Sequence, residues 1–269
     1  MFAAQAGAKH VYAVDCSSII TQAEQVIKCN GLQDRITAIK GKVEEITLPV
    51  EQVDIIISEW MGYFLLYESM LPTVLYARDK WLIQGGIIFP DKAVMYLAGI
   101  EDAHYMRDRI DFWNDVYGFD MSSIKELALK EPVVDVVDPK SILSNAVPIL
   151  DIDILTCTKE QLSFTSNFAI TSQRNDYLHG LCAYFECAFT QCHKPIGFST
   201  SPFCKYTHWK QTIFYIKDAP LTICQGENVY GTISCVPNKK NPRDLDIDIQ
   251  VNFDGRYSKL SGKFGYRLR

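Results

Sequence analysis

The stretch Asp54–Met70, DIIISEWMGYFLLYESM, combines the pattern of a buried strand with that of a binding site. It opens with three isoleucines, Ile55–Ile57, a run typical of a strand buried on both faces of a parallel sheet. Glu59 and Glu68 then stand at the two ends of a segment rich in aromatic and aliphatic residues. A turn at Met61-Gly62 would fold the segment back on itself, so we expect both carboxylates to face one pocket.

Two carboxylates in so apolar a segment indicate a site for a cation, because an ionised group in an apolar setting is costly unless something pairs with it. A planar guanidinium suits such a pair best, since its fork of N–H donors matches carboxylate geometry. The alternative is that Glu59 caps a helix and Glu68 points to water.

Composition excludes several classes of protein. The 269 residues are 48% hydrophobic and 22% charged, as is typical of a globular chain of one large or two smaller domains. The net charge of −5 argues against a general nucleic-acid binder and favours cationic partners. Nine cysteines without a Cys-x-x-Cys pair indicate a reducing compartment. We expect no metal at Cys187, Cys192 and His193, and no membrane span or signal peptide.

The first third of the chain alternates strands and helices, which predicts a parallel, doubly wound sheet. Predicted strands cover residues 11–15, 35–39 and 53–58, and predicted helices cover residues 17–29 and 70–82, the second closed by Gly85-Gly86. Asp15 ends the first strand, where nucleotide-binding sheets place an acidic residue that accepts hydrogen bonds from ribose hydroxyls. The alternative role for Asp15 is a helix cap.

The second half has the pattern of an antiparallel, barrel-like domain. Short strands with turn signals between them are predicted at residues 164–171, 178–190, 212–217, 229–236 and 245–253. Before them, residues 103–130 form an insertion with helical spacing and many large aromatic side chains.

Several motifs in order resemble the type I protein arginine methyltransferases, close to the predominant cellular member of that family, over the whole chain. They are SEWMGYFLLYES, GKVEE (Gly41–Glu45), FPDKA (Phe89–Ala93), NDVYGFDMS (Asn114–Ser122), VDPK (Val137–Lys140), GFSTSP (Gly197–Pro202) and THWKQT (Thr207–Thr212).

The resemblance implies methyl transfer from S-adenosylmethionine to arginine nitrogens, giving mono- and asymmetric dimethylarginine, with S-adenosylhomocysteine as the other product and no metal. By it, Glu59, Glu68 and His208 are catalytic, and Tyr63, Met70 and Trp209 bind substrate. It assigns cofactor binding to Asp15, Val43, Glu44 and Thr73. Asp15 stands where the family usually has the longer Glu. From the residues alone, His208 has the alternative of a structural imidazole satisfied by backbone groups.

The implied fold is a partial Rossmann-like methyltransferase sheet at residues 1–90, followed by a β-barrel substrate domain at residues 91–269. Residues 103–130 would be a dimerisation arm; the alternative is an amphipathic hairpin packed on its own barrel. The family's Gly-rich loop and first strand would precede Met1, so we expect an N-terminally incomplete cofactor domain with weak cofactor binding.

The implied partners are Gly-Arg-rich RNA-binding proteins, histone tails and a second copy of the chain, in a homodimer or a higher oligomer, in the nucleus and the cytoplasm. We expect no direct nucleic-acid binding. Two alternatives remain. One is a catalytically inactive dimeric scaffold for arginine-rich peptides. The other is a small-molecule methyltransferase, against which the two-glutamate segment and the THW motif argue.

Overall fold

A computed structural model describes residues 1–216 and 220–269. The chain divides into two compact units: the first contains Met1–Ile56 and Pro72–Ile88, and the second contains Ile57–Leu71 and Phe89–Arg269. This division differs from the predicted domain bounds in one respect, because Ile57–Leu71 packs with the second unit and not with the first. The segment that bears both glutamates is therefore part of the larger unit.

The first unit is built around a βαβ arrangement. Its elements, with those at its boundaries, are α1 (Phe2–Gln5), β1 (Val11–Asp15), α2 (Ile19–Cys29), β2 (Ile36–Lys40), β3 (Val53–Ile57), α3 (Leu71–Trp81) and β4 (Leu82–Phe89). Strands β1 and β2 pair in parallel, with Val11 opposite Ile36, as the alternating pattern predicts. Helix α2 packs on them through Ile27, which shares a small core with Ala4 and Ile36.

Two predictions for the first unit were wrong in detail. Ile55 and Ile57 are 48% and 63% exposed, not buried on both faces. Strand β3 pairs with β4, and in the described residues this pair is not hydrogen-bonded to β1–β2, so no continuous sheet covers the isoleucines. Gly85-Gly86 does not end α3 but lies inside β4. Gly86 is needed there because a Cβ would lie 3.0 Å from the Asp54 carbonyl oxygen.

The second unit is antiparallel throughout. Its strands are β5 (Lys92–Ile100), β6 (Val133–Asp135), β7 (Val147–Asp153), β8 (Phe164–Thr171), β9 (Asp176–Leu178), β10 (Gly180–Phe189), β11 (Ile196–Ser199), β12 (Gln211–Tyr215), β13 (Leu221–Ile223), β14 (Asn228–Pro237), β15 (Leu245–Asp254) and β16 (Lys259–Leu268). A six-stranded sheet has the order β6-β12-β10-β5-β7 with β11 added to β10, and a four-stranded sheet has the order β16-β15-β14-β8. Strands β9 and β13 form a separate pair.

Alternation of apolar and polar residues explains these strands. In β15, Leu245, Ile247, Ile249, Val251 and Phe253 are all buried, while the residues between them are partly or fully exposed. The predicted strand at 178–190 begins two residues later, at Gly180. The predicted strand at 212–217 is β12, and the end expected at Lys217 lies outside the described residues.

Strand β16, which the sequence did not predict, is the edge of the four-stranded sheet. Its solvent-facing side chains form ion pairs across to β15. The pairs are Lys259–Asp254, Lys263–Asp248 and Arg267–Asp246, with N–O distances of 2.6, 3.0 and 3.0 Å.

The aromatic insertion at residues 103–130 contains short helical pieces that have two different faces. They are α4 (Ala103–Tyr105), a π-helical turn (Met106–Ile110), a 3-10 turn (Asp111–Asn114) and α5 (Ser122–Ala128). Met106 and Ile110 pack into the core of the second unit, and Tyr105 stacks on Tyr215 at 4.6 Å. Tyr117 and Phe119 are 97% and 69% exposed.

The alternative of a hairpin packed on its own barrel therefore holds for one face of the insertion, while the other face is exposed to solvent.

Within the described residues, no helix is long and apolar enough to cross a membrane.

Candidate functional site

The segment Glu59–Met70, which we call the two-glutamate loop, is closed by backbone hydrogen bonds at several levels. The N–H of Met70 donates to the carbonyl of Trp60 at 2.9 Å. Inside that closure, Tyr67 N–H donates to Tyr63 O and Gly62 N–H donates to Leu65 O, each at 2.9 Å. The chain thus turns back at Gly62, as predicted, and the outermost hydrogen bond joins Trp60, which follows Glu59, to Met70, two residues after Glu68.

The tightness of the loop depends on unusual backbone conformations. Phe64, Leu65 and Glu68 have φ values of 49°, 60° and 52°, in the left-handed region that residues with a Cβ rarely adopt. A Cβ on Gly62 would lie 1.6 Å from the carbonyl oxygen of Tyr67, so only glycine fits there. Strained backbone of this kind persists only where the surroundings over-determine it.

The burial of the loop's apolar side chains holds the strained backbone in place. Trp60 is 1% and Leu65 0% exposed, and Phe64 meets Phe214 edge-to-face at 5.3 Å between ring centroids. The segment is therefore held in the core of the second unit by its middle. The glutamates at its ends remain exposed to solvent.

Trp209 joins the loop to the strand β12 region. Its indole N–H donates to the carbonyl of Met61 at 3.0 Å. Its ring stacks on Phe198 at 5.3 Å and meets Phe185 edge-to-face at 5.7 Å. The structure thus brings Trp209, which the resemblance assigns to substrate binding, into contact with the two-glutamate loop.

His208 lies beside Trp209, with 3.9 Å between the two ring centroids, and is exposed. In the part of the chain that the structure describes, its imidazole makes no hydrogen bond. The alternative of a structural imidazole satisfied by backbone groups was therefore wrong. No oriented partner for proton transfer is present among the described residues either.

Glu68 has a partner that the sequence reasoning did not identify. Its backbone N–H donates to the carbonyl of Arg243 at 3.2 Å, and its Oε1 lies 3.4 Å from a guanidinium nitrogen of the same arginine. Next to it, burial raises the pKa of Tyr67, with smaller contributions from the charges of Glu68 and Asp244. Glu68 is therefore part of a charged cluster at the surface.

Glu59 lies on the other arm of the loop, near β10. Burial raises the pKa of the Cys187 thiol to about 12, and the negative charge of Glu59 adds to this rise. The neighbouring Ser58 N–H donates to Phe89 O at 3.1 Å, which fixes the chain leading into the loop. The alternative of a helix cap for Glu59 is wrong, because no helix directly follows it. The alternative of a solvated Glu68 is wrong in part, because the exposed Glu68 side chain has an ionic partner.

The other two predicted substrate residues are on the same loop and accessible. Tyr63 is 39% exposed and lies parallel to Tyr67 with 6.5 Å between ring centroids. Met70 is 54% exposed, at the residue that closes the loop. Their positions leave both side chains available to a ligand.

The four predicted cofactor residues lie in the first unit, and two of them, Glu44 and Thr73, are hydrogen-bonded to each other. Gly41 N–H donates to the carbonyl of Asp15 at 3.0 Å, so the turn that holds Val43 and Glu44 begins next to the end of β1. The Thr73 hydroxyl donates to Glu44 Oε1 at 2.6 Å. Asp15 and the turn with Val43 and Glu44 therefore lie at one corner of the first unit, beyond the carboxyl ends of β1 and β2, and Thr73 of α3 reaches this corner through its hydroxyl.

The chemistry of this corner fits a nucleoside. The Asp15 side chain is exposed and accepts a hydrogen bond from Ser17 N–H at 2.7 Å. The hydrogen bonds from Ser17 lower the pKa of Asp15, which keeps an anionic acceptor available for ribose hydroxyls. Asp15 is not the N-cap of α2, because that residue is Ser18. The hydrogen bond from Ser17 N–H is the part of the helix-cap alternative that the structure shows.

Within residues 1–216 and 220–269, no group of three or more His, Cys, Asp or Glu side chains is placed to hold a metal ion. Cys187 is buried and Cys192 is half-buried.

Comparison with known proteins identifies the family. A family model described as the arginine methyltransferase oligomerization subdomain matches residues 91–256. Over its full length the chain is 54% identical to protein arginine N-methyltransferase 1 of Chlamydomonas reinhardtii and covers 78% of that protein. It is 53% identical to protein arginine N-methyltransferase 1.1 of Arabidopsis thaliana, of which it covers 69%.

Solved structures agree with this. The fold matches a chain of the Trypanosoma brucei PRMT1 enzyme-prozyme heterotetrameric complex with AdoHcy, with a TM-score of 0.97 and 46% identity, covering all of this chain and 84% of that one. It also matches Arabidopsis thaliana protein arginine methyltransferase 10, with a TM-score of 0.86 and 28% identity, covering all of this chain and 85% of that one.

An α/β unit followed by an antiparallel β unit with a two-glutamate loop defines a methyltransferase fold with a substrate domain, and the predicted fold class is confirmed. The chain belongs to the family of protein arginine N-methyltransferases, enzymes that use S-adenosylmethionine. The resemblance to the predominant cellular member is confirmed as well, since several of its relatives are named protein arginine N-methyltransferase 1.

Proposed function

We propose that the chain acts as a type I protein arginine methyltransferase, which makes mono- and then asymmetric dimethylarginine. The observation that carries this proposal is the closed two-glutamate loop, held in the core through Trp60 and Leu65 with Glu59 and Glu68 exposed at its ends. A loop fixed by its middle presents two anions to a ligand with little loss of conformational entropy on binding.

The proposed role of the glutamates follows from the charge of the reactants. Arginine is protonated at physiological pH, and its nitrogen lone pairs are delocalised, so it is a poor nucleophile. S-adenosylmethionine supplies an electrophilic methyl group on a sulfonium cation. Bringing two cations close together is opposed by several kcal/mol at an effective dielectric near 20, in order of magnitude. Glu59 and Glu68 offset this repulsion and hold the guanidinium in a fixed orientation.

Trp209 and the exposed loop residues complete the substrate side. Through its hydrogen bond to Met61, Trp209 fixes the position of the loop, and it carries the neighbouring His208 on the substrate side. Tyr63 and Met70 are accessible beside it and pack against the arginine side chain. His208 has the exposure needed to meet the substrate and is assigned to substrate contact and catalysis.

On the cofactor side, Asp15 holds the ribose hydroxyls, while Val43 and Glu44 hold the adenine. Thr73 lines the same corner and fixes the Glu44 carboxylate through its hydroxyl. Each of these residues binds and orients, and none takes up a proton.

Gly-Arg-rich segments of RNA-binding proteins and histone tails are the proposed substrates. The chain's net charge of −5 and the exposed carboxylates of the loop favour such cationic, flexible peptides. These substrates are found in the nucleus and the cytoplasm, which we propose as the locations of the enzyme.

The insertion at residues 103–130 is the proposed contact between two copies. Its uncovered face carries Phe112, Tyr117, Phe119, Met121 and Leu127, all exposed, and an apolar patch of that kind usually marks an interface. The match to an oligomerization subdomain supports a homodimer, with higher assemblies built from it.

Mass spectrometry tests the reaction and its product together. The 269-residue chain would be incubated with an arginine-glycine peptide and donor carrying a deuterated methyl group. We expect labelled mono- and dimethylarginine, with the neutral loss of dimethylamine that distinguishes the asymmetric product. Symmetric dimethylarginine would overturn the type I assignment.

The catalytically inactive scaffold is separated from the enzyme by calorimetry. A scaffold binds the arginine-glycine peptide but gives no heat with S-adenosylhomocysteine, whereas the enzyme binds both.

A further inference from the structure

The turn between β14 and β15, residues 238–244, is more rigid than its exposure suggests. Asn238 is 7% exposed, and its side-chain amide donates to both carboxylate oxygens of Asp246, at 3.1 and 2.8 Å. Its side-chain oxygen accepts from the backbone N–H groups of Lys240 and Asn241. Asp244 closes the turn, because its carbonyl accepts from Asn238 N–H at 2.9 Å. The backbone from which Arg243 projects is therefore fixed.

Arg243 reaches Glu68 in two independent ways. Its carbonyl accepts the N–H of Glu68 at 3.2 Å, and its guanidinium lies 3.4 Å from Glu68 Oε1. The first contact holds the backbone of Glu68 at its φ of 52°, a conformation that costs free energy for a residue with a Cβ. The second contact uses one carboxylate oxygen. In the described part of the chain, no hydrogen bond reaches Glu68 Oε2.

An ordinary surface ion pair is the simplest account of the second contact. The two side chains are 69% and 51% exposed, and pairs of that kind contribute little to folding. An ordinary surface pair would not, however, be accompanied by a hydrogen bond from Glu68 N–H to the carbonyl of Arg243, in a turn that is itself held by side-chain hydrogen bonds. The backbone hydrogen bond and the ion pair together determine the position of the Glu68 carboxylate more than they change the free energy of unfolding.

We propose that Arg243 is a positioning residue for methyl transfer: it fixes Glu68 Oε1 and so leaves Oε2 directed at the substrate guanidinium. The proposal rests on the proposed function, in which Glu68 binds the substrate arginine. Because a single guanidinium nitrogen of Arg243 lies near a single carboxylate oxygen, the ion pair leaves capacity on the carboxylate that a bidentate pair would have consumed.

A competing role for Arg243 is that of an internal substitute for the substrate arginine, which must leave before a peptide binds. The two roles predict opposite kinetics. Loss of a positioning contact lowers kcat with little change in KM, since the geometry at the reacting nitrogen suffers. Loss of a competitor lowers KM and the peptide Kd, and leaves kcat unchanged.

The test compares Arg243→Ala, Arg243→Lys and the matched control Lys239→Ala in the full chain. Lys239→Ala removes one exposed positive charge from the same turn. For Arg243→Ala we expect kcat to fall roughly fivefold, within what one exposed ion pair can supply. KM, and the peptide Kd from calorimetry with S-adenosylhomocysteine present, should stay within twofold. Arg243→Lys, which keeps the charge, should recover part of the loss, and Lys239→Ala should match the unchanged protein.

Three results would overturn the proposal: equal kcat for Arg243→Ala and Lys239→Ala, a lower KM at unchanged kcat, or no recovery by lysine. Glu68→Gln is measured alongside as the test of the proposed function. If Glu68→Gln is inactive while Arg243→Ala equals its control, the role of Arg243 is wrong and the role of Glu68 stands. If Glu68→Gln is fully active, the proposed function itself fails.

Discussion

In the first unit, Asp15 ends a short strand and Glu44 lies in the turn after the next one, and they accept hydrogen bonds from Ser17 and Thr73. In the second unit, Glu59 and Glu68 belong to a loop whose middle is in the core and whose backbone takes left-handed conformations at several residues. The proposed cofactor corner is local, partly exposed structure, while the two-glutamate loop depends on the packing of the whole second unit. Binding of the nucleoside should therefore tolerate substitutions that methyl transfer does not.

The largest expected difference between the units is in alkaline stability. Burial raises the pKa of Cys187 and Cys235 to about 12, and raises the pKa of Cys182 further. As pH rises above about 9, the unfolded chain loses these protons while the folded second unit keeps them. The free energy of unfolding therefore falls, by about 1.4 kcal/mol for each thiol at one pH unit above its unfolded pKa.

Urea unfolding at pH 8 and pH 10, followed by circular dichroism, measures this loss. Burial also raises the pKa of Tyr184, Tyr215 and Tyr266, each of which adds about 0.4 kcal/mol at pH 10, so Cys235→Ala should remove about a quarter of the loss. The cysteines of the first unit, Cys16 and Cys29, are exposed, and Cys29→Ala is the matched control. A pH dependence that Cys235→Ala leaves unchanged would show that burial of the thiols is not its cause.

The next largest effect is expected at Gly62. In Gly62→Ala the Cβ would overlap the Tyr67 carbonyl, so the loop must open, at a cost of about 3 kcal/mol in unfolding free energy. We expect methylation to be lost as well, while binding of S-adenosylhomocysteine by the first unit is kept. Gly226→Ala is the control, because Gly226 has a φ of 86° but no atom within 4 Å of the added carbon. Gly226→Ala reports the cost of a left-handed backbone alone, which Gly62 does not have, so a comparable loss of methylation in both variants would mean that the overlap with Tyr67 is not decisive.

Glu59→Gln and Glu68→Gln should each lower kcat by about a hundredfold, because an amide cannot offset the positive charge of the reactants. Thermal unfolding should change little, since both side chains are exposed. Glu51→Gln, at an exposed turn of the first unit, serves as the control in the same methylation assay. Near-normal turnover by either loop variant would refute the assigned role of that residue.

The smallest effect is expected in the cofactor corner. Asp15→Asn keeps a hydrogen-bond acceptor but removes the charge, so the Kd for S-adenosylhomocysteine should rise about tenfold in calorimetry. Asp34→Asn, an exposed site in the same unit, should bind like the unchanged chain. An unaltered Kd for Asp15→Asn would remove the ribose contact from the proposed site.

Local patterns predicted what local structure decides. The bounds of β1 and β8 and the turn at Gly62 follow from runs of β-branched residues and from glycine, and they agree with the structure. Strand β16 was missed because its Lys and Gly residues do not look like a strand until β15 lies beside it. The exposure of Ile55 could not be predicted, since a run of isoleucines does not reveal what packs on it.

Sequence patterns could not predict contacts between residues that are far apart in the chain. Arg243 and Glu68 meet because the β14–β15 turn and the two-glutamate loop are in the same unit, and neither residue has a neighbour in sequence that signals the other. The same holds for Trp209 and Met61. The resemblance to a family identified Trp209 but gave no physical reason for its position, which the hydrogen bond now supplies.

The row of lysine and arginine side chains along β16 has a consequence for the protein in a crowded solution. An outermost strand offers unsatisfied backbone groups to any other extended chain, and this is how sheets grow into aggregates. Every fourth residue of β16 is a cation, at Lys259, Lys263 and Arg267, and each forms an ion pair with an aspartate of β15. A strand that added to this edge would have to bury these charged side chains. If the substrates are the flexible, arginine-rich tails proposed above, the same charges keep those tails from joining the enzyme's own sheet.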